Sequence, residues 1–223
     1  MPEHRVQHGD GSGAGAPLFP CGIVPVIKLS DAAKAPPLAK ALLAGGVDVI
    51  EITFRTAAAP DAIAAIAKEV PGMTVGAGTV LTLSQLRAAK DAGAAFIVSP
   101  GLDADIVRAA LADGLDVIPG AVTPTEIGQA LSLGLTAVKF FPAQIYGGAA
   151  AVKALAAPFA GMKFVPTGGI DQGNAPDYWK LPQVLAVGGT WMAPERLIDA
   201  GDFGAVERLA RDAVNLRKGL GIC

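Results

Sequence analysis

Histidine is nearly missing from this 223-residue sequence: His4 and His8 stand in the first eighteen residues, and none follows. A body without histidine excludes a Ser-His-Asp triad and argues against a histidine-ligated metal site. Acid–base work then falls to Glu, Asp, Lys, Tyr or a bound water. Cysteine is as scarce. Cys21 and Cys223 lie near opposite ends of the chain and suggest no disulfide framework. Charge is sparse too, at 17% of residues with a net charge of −2, which gives no electrostatic footprint for nucleic acid. No apolar run reaches the ~18–20 residues that span a bilayer, so no membrane partner is expected.

What is present is a compact composition, 52% hydrophobic and rich in Ala and Gly. The length suits one domain with a substantial core. Residues 1–18 are polar and Gly-rich and lack the apolar centre of a signal peptide. They predict a flexible leader on a cytoplasmic protein, with a single folded domain over residues 19–223.

From Ile23 onward, short β-branched runs alternate with Ala/Leu-rich segments of helical period. The strand candidates are Ile23–Ile27, Val47–Phe54, Met73–Ala77, Ala94–Val98, Asp116–Ile118, Thr136–Phe141, Lys163–Pro166 and Val184–Val187. Between them the sequence predicts helices such as Asp31–Ala44, Pro60–Glu69, Leu83–Ala92, Ala104–Ala112 and Thr125–Leu133. Start signals stand at Ser30-Asp31, at Thr82 with Gln85, and at Thr123-Pro124-Thr125-Glu126. Stop signals stand at Gly45, Gly93, Gly114 and Gly134. This rhythm indicates an α/β (β/α)₈ TIM barrel, with a doubly wound open sheet as the alternative.

In such a barrel the chemistry gathers at the C-terminal ends of the strands. Lys139 is a cation inside the apolar run Thr136–Phe141. Lysine is almost never fully buried without a purpose, and an amine freed of its proton in an apolar pocket is what Schiff-base chemistry with a ketone requires. The other explanation is a lysine snorkelling from a strand end or pairing with a carboxylate. Alternation along the second strand puts Val49, Glu51, Thr53 and Arg55 on one face, with Ile50, Ile52 and Phe54 on the other. The mixed face then points into the barrel, with a carboxylate deep and a guanidinium near the mouth. Glu51 could also serve as a buried partner for a cation, and Lys139 is the obvious one.

Thr79 follows Gly76-Ala77-Gly78 at the end of the third strand, where glycine allows close backbone approach or an ordinary turn. Ser99-Pro100-Gly101 and Pro119-Gly120 close the fourth and fifth strands. The last two strand ends are Thr167-Gly168-Gly169 and Gly188-Gly189-Thr190. Loops at those two positions of a barrel often bind phosphate through backbone N–H groups and a helix N-terminus.

These segments together resemble the 2-keto-3-deoxy-6-phosphogluconate (KDPG) aldolase and 4-hydroxy-2-oxoglutarate aldolase family. The matching runs include Val24-Pro25-Val26-Ile27, Glu51-Ile52-Thr53-Phe54-Arg55-Thr56, Val75-Gly76-Ala77-Gly78-Thr79-Val80, Val98-Ser99-Pro100-Gly101, Val138-Lys139-Phe140-Phe141-Pro142-Ala143, Val165-Pro166-Thr167-Gly168-Gly169 and Gly188-Gly189-Thr190-Trp191. The resemblance implies a trimeric class I aldolase of carbohydrate metabolism, in the Entner–Doudoroff pathway, acting on a phosphorylated keto acid without cofactor or metal. It places the Schiff-base lysine on Lys139, the general acid/base on Glu51 and the grip on the substrate carboxylate on Arg55. Thr79, Pro100, Phe141 and Thr167 would complete the substrate pocket, with Gly168, Gly169, Gly189 and Thr190 on the phosphate. Two positions depart from the family pattern. Gln144-Ile145-Tyr146 stands where Glu-Ala-Asn is frequent, and Thr190 stands where serine is common. The competing expectations are an aldolase whose main substrate is 4-hydroxy-2-oxoglutarate or the galactonate epimer of KDPG, and a non-catalytic phosphosugar-binding barrel.

Overall fold

A computed structural model describes residues 18–221. His4, His8, Cys223 and all but the last residue of the expected leader lie outside the described residues. Eight strands alternate with helices: β1 Ile23–Ile27, β2 Val49–Thr53, β3 Thr74–Gly78, β4 Phe96–Val98, β5 Asp116–Ile118, β6 Ala137–Phe140, β7 Lys163–Pro166 and β8 Val187–Gly189. The helices are α1 Ala35–Ala44, α2 Ala59–Glu69, α3 Leu83–Asp91, α4 Ala104–Ala112, α5 Pro124–Ser132, α6 Gly148–Ala156, α7 Ala175–Trp179, α8 Glu195–Ala200 and α9 Phe203–Lys218. All strand pairs are parallel, in the order β5-β4-β3-β2-β1-β8 with β6-β7 beside them. Bridges from Gly120 to Lys139 and from Thr167 to Gly188 join the two sets into a closed ring. The expected barrel is therefore the observed one, and the open sheet is not.

Strand alternation sorts the core into two layers. Ile23, Ile27, Ile50, Ile52, Ile97, Val138 and Phe140 face outward onto the helices. Val24, Val49, Phe96, Val98, Ile118 and Val165 fill the inside, where Phe19 closes the lower end edge-on to Phe96 at 5.4 Å between ring centroids. Leu18 packs against this inner cluster. Glu51, Thr53 and Lys139, the buried polar side chains of β2 and β6, follow Val49 and Ala137 along this inner face, toward the C-terminal loops.

The helix starts follow their caps. Thr82 accepts a hydrogen bond from Gln85 N–H, Asp103 from Asp105 and Ile106 N–H, and Thr123 with Glu126 forms a full capping box. Most boundaries differ from the sequence expectation by one or two residues, and three differences have a distinct physical reason. The segment from Asp31 opens with a 3₁₀ turn, Ala32–Lys34, and α1 begins only at Ala35. Pro36 and Pro37 have no N–H to donate and fit only the first turn of an α-helix. After α1 the left-handed residue is Gly46, at φ +90°, not Gly45. Gly45 is needed for contact with α9, since a Cβ there would stand 2.6 Å from Ala210 Cβ. The last strand starts at Val187 instead of Val184, which makes only an isolated bridge to Phe164. Gly188 and Gly189, expected as loop, pair with Val24 and Pro25 of β1.

Candidate active site

Lys139 occupies the inner face of β6, with Val138 and Phe140 turned outward. Glu51 occupies the inner face of β2 across the ring. Both are buried, at 5% and 3% exposure, and Lys139 Nζ donates to Glu51 Oε1 at 3.3 Å. They are the only charged residues buried among the described ones. A proton leaving the amine thus has a carboxylate at hydrogen-bond distance, and one entering the carboxylate has a donor. Phe141 lies beside the amine, its ring centroid 5.3 Å from Nζ.

A cavity of about 270 Å³ opens above Lys139. Arg55, Thr79, Pro100, Lys139 and Phe141 line one part of it, and Thr167, Gly168, Gly169, Gly189 and Thr190 line another. Every residue predicted for the site is therefore gathered at this mouth except Glu51, which sits one step deeper behind the lysine. Val26, Thr53 and Ile170 line it as well, and sequence reasoning gave them no role. Among the described residues, no three His, Cys, Asp or Glu side chains come together as metal ligands.

Thr53 is the informative omission. Its hydroxyl donates to the Ile27 carbonyl at 2.8 Å and accepts from Arg55 Nε at 3.1 Å. This relay holds the guanidinium by one nitrogen, and the terminal nitrogens, which form the fork that matches a carboxylate, have no hydrogen-bond partner among the described residues. The signal was in the alternation, which already set Thr53 between Glu51 and Arg55.

The glycines of β3 have a different reason from the close ligand approach considered above. A Cβ on Gly78 would overlap the Glu51 carboxylate, and one on Gly76 would overlap the Phe96 ring. They make room for the catalytic candidate and for the plug beneath it. Beyond them Thr79 takes a left-handed backbone, φ +57°, unusual for a β-branched residue. Such conformations cost about 1–3 kcal/mol and persist where the surroundings enforce them. Here Gly78 O accepts from Phe54 N–H at 2.7 Å and Val80 N–H donates to Val98 O at 3.1 Å, which pins both sides of the residue.

The β7 and β8 loops are built on similar close contacts. Gly168 and Gly169 have φ +98° and +73°. Gly188 leaves room for the Thr167 hydroxyl, and the Trp191 indole lies against Gly189. The unusual segment after β6 is tied to this region: Ala143 N–H donates to Thr167 O at 2.8 Å and Gln144 N–H to Gly168 O at 3.2 Å. A Cβ on Gly169 would meet the Gln144 side chain at 2.9 Å, so Gln144 forms the outer wall of the Gly168–Gly169 loop. Ile145 and Tyr146 remain exposed, and the Tyr146 ring meets Phe140 edge-on at 6.5 Å.

Residues 18–209 match the model of the KDPG and KHG aldolase family. The KHG/KDPG aldolase of Escherichia coli K12 is 48% identical over 192 residues, 86% of this chain and 90% of that protein. The crystal structure of the 2-keto-3-deoxy-6-phosphogluconate aldolase of Zymomonas mobilis ZM4 with 3-phosphoglycerate superposes with a TM-score of 0.82 at 43% identity, covering 89% of this chain and 92% of that one. The KDPG aldolase of Legionella pneumophila, with pyruvate captured as a covalent carbinolamine intermediate, gives a TM-score of 0.85 at 36% identity over 89% of this chain and 96% of that one.

Proposed function

This chain belongs to the KDPG and KHG aldolase family, and we propose that it cleaves 2-dehydro-3-deoxy-6-phosphogluconate to pyruvate and glyceraldehyde 3-phosphate through a Schiff base on Lys139. The observation that carries this assignment is the buried Lys139–Glu51 pair at 3.3 Å beneath the cavity.

Lys139, its proton handed to Glu51 or water, attacks the C2 ketone to form a carbinolamine. Loss of water gives a protonated imine, which serves as the electron sink. Glu51, through water, supplies and removes the protons of these steps and takes the C4 hydroxyl proton as the C3–C4 bond breaks. The bonding electrons move into the enamine and the C4 alkoxide collapses to the aldehyde. Protonation at C3 and hydrolysis of the imine then release pyruvate and restore the amine. Arg55, held by Thr53, grips the C1 carboxylate, with Thr79 and Thr167 hydrogen-bonding to carboxylate or hydroxyl groups. Phe141 and Pro100 wall the pyruvyl end. Gly168, Gly169, Gly189 and Thr190 receive the 6-phosphate through backbone N–H groups and the Thr190 hydroxyl.

Side-by-side cleavage of KDPG, its galactonate epimer and 4-hydroxy-2-oxoglutarate tests the substrate. Preference for KDPG supports the assignment, and a higher kcat/KM for either other substrate replaces it. Pyruvate with borohydride should attach to Lys139, and an adduct mapped to another lysine removes the mechanism. We further place the enzyme in the cytoplasm, as a homotrimer in the Entner–Doudoroff pathway. A solution mass near that of one chain overturns the trimer.

A further inference from the structure

The β7 and β8 loops offer a phosphate no cation of their own, but the neighbouring strand supplies one. Pro25 pairs with Gly189 in the β1–β8 ladder, and Val26 and Thr190 both line the cavity. Ile27 and Leu29 are buried in the outer core, so Lys28 between them points the other way, to the side of Val26 and one step nearer the mouth. Its Nζ donates to Glu195 Oε1 at 2.8 Å. Glu195 opens α8, the element that follows the β8 loop, and its carboxyl is held below the usual range first by the Lys28 hydrogen bond and also by the charge of Arg55. Arg55 lines the cavity, and the Lys28–Glu195 pair stands just outside that lining, within reach of the Arg55 charge.

As a strut this pair would do little. Both side chains are about half exposed, at 42% and 57%, and ion pairs of that kind contribute close to nothing. Its position gives it another use. We propose that Lys28 is a phosphate-binding residue, kept in place by Glu195 in the free enzyme, and that a substrate phosphate arriving on the Gly189–Thr190 loop takes over Lys28 from Glu195. A phosphate carries up to two negative charges and three acceptor oxygens against the single charge of the carboxylate, so the exchange favours phosphorylated keto acids. The same carboxylate opposes an anion that does not reach Lys28. The pair thereby sets the preference between phosphorylated and unphosphorylated substrates.

The inference rests on the aldolase assignment, and its test separates the two. Lys28→Met and Glu195→Gln are compared with the wild-type enzyme by the ratio of kcat/KM for KDPG to that for 4-hydroxy-2-oxoglutarate. Lys28→Met should lower the ratio about five- to tenfold, and Glu195→Gln should raise it. Opposite signs are decisive, because a merely structural pair would make both variants shift together. An unchanged ratio in Lys28→Met, or a fall in both variants, overturns the proposal. Calorimetric titration with inorganic phosphate gives a second reading that needs no turnover: Lys28→Met should bind more weakly than wild type and Glu195→Gln more tightly. If the wild type cleaves no KDPG, the substrate assignment falls, and the phosphate titration still decides the role of Lys28.

Discussion

Lys139 Nζ and Glu51 Oε1 lie 3.3 Å apart inside the barrel although 88 residues separate them in the chain. Neither has another charged residue buried with it among the described residues. A buried pair of this kind contributes little net stability, because desolvation of both charges offsets their attraction. Its retention in a closed core fits chemistry better than folding.

Glu51→Gln keeps the shape of the side chain and its contact with the lysine but removes the proton acceptor. Turnover should fall by roughly 10²–10⁴ while pyruvate still reaches the site. Stopped-flow trapping with borohydride should show slower imine formation in the same variant, since the proposed mechanism assigns both steps to this one carboxylate. Turnover near that of wild type would move the role to another group.

Gly78→Ala tests why β3 carries glycine. The added Cβ would overlap the Glu51 carboxylate, and the backbone at Gly78 is not left-handed, so the effect is steric. Turnover should drop on the scale of the Glu51→Gln loss, by roughly 10² or more. Gly76→Ala is the contrast: its Cβ meets the Phe96 ring, and overpacking there should cost about 1–3 kcal/mol in urea unfolding. Equal turnover in Gly78→Ala and wild type would mean that Glu51 has room to move and does not depend on this glycine.

The proposed phosphate contact of the β7 and β8 loops is better tested at Thr190 than at a glycine. Valine at Gly189 would collide with the Trp191 indole and would report on packing as much as on ligand access. Thr190 is exposed at the cavity edge. Thr190→Glu should raise the KM for KDPG about tenfold or more by like-charge repulsion. The KM for unphosphorylated 4-hydroxy-2-oxoglutarate should rise far less. A parallel rise in both would place the phosphate elsewhere.

Burial pushes the Cys21 thiol up to about 11, and its S–H donates to the Ile23 carbonyl at 3.2 Å, a bond that only the protonated form makes. The native thiol should therefore react with iodoacetamide much more slowly at pH 8 than the same thiol in urea, as read by peptide mapping. The sign for stability follows. The folded state holds this proton more tightly than the unfolded chain, so the contribution is complete below about 9 and is lost as pH rises toward about 11. Cys21→Ser should flatten that part of the stability profile. Equal alkylation rates in native and unfolded protein would contradict the burial.

Much of the barrel was legible because alternation and helical period are local. Ile50 and Ile52 outward, with Val49 and Glu51 inward, follow from the pleat alone. The caps at Thr82 and Thr123 were equally readable, since their partners lie three residues away. The glycine strand β8 was not. Gly188 and Gly189 read as a loop, and only the packing of Thr167 and Trp191 against them explains why a strand is built of residues that disfavour strands. The backbone of Thr79 was hidden for the opposite reason, because nothing in a threonine announces a left-handed conformation.

The sequence by itself determined the order of strands and helices, the absence of histidine from the body, and the residue types able to form an imine and move a proton. It also determined the strand ends on which these stand. Only the tertiary structure decided that Glu51 touches Lys139, that Thr53 holds Arg55, and that Lys28 meets Glu195. The physical reason is distance along the chain. Periodicity fixes which face a side chain takes within its own strand, but closure of the ring alone brings β2 opposite β6 and sets the end of β1 beside the start of α8.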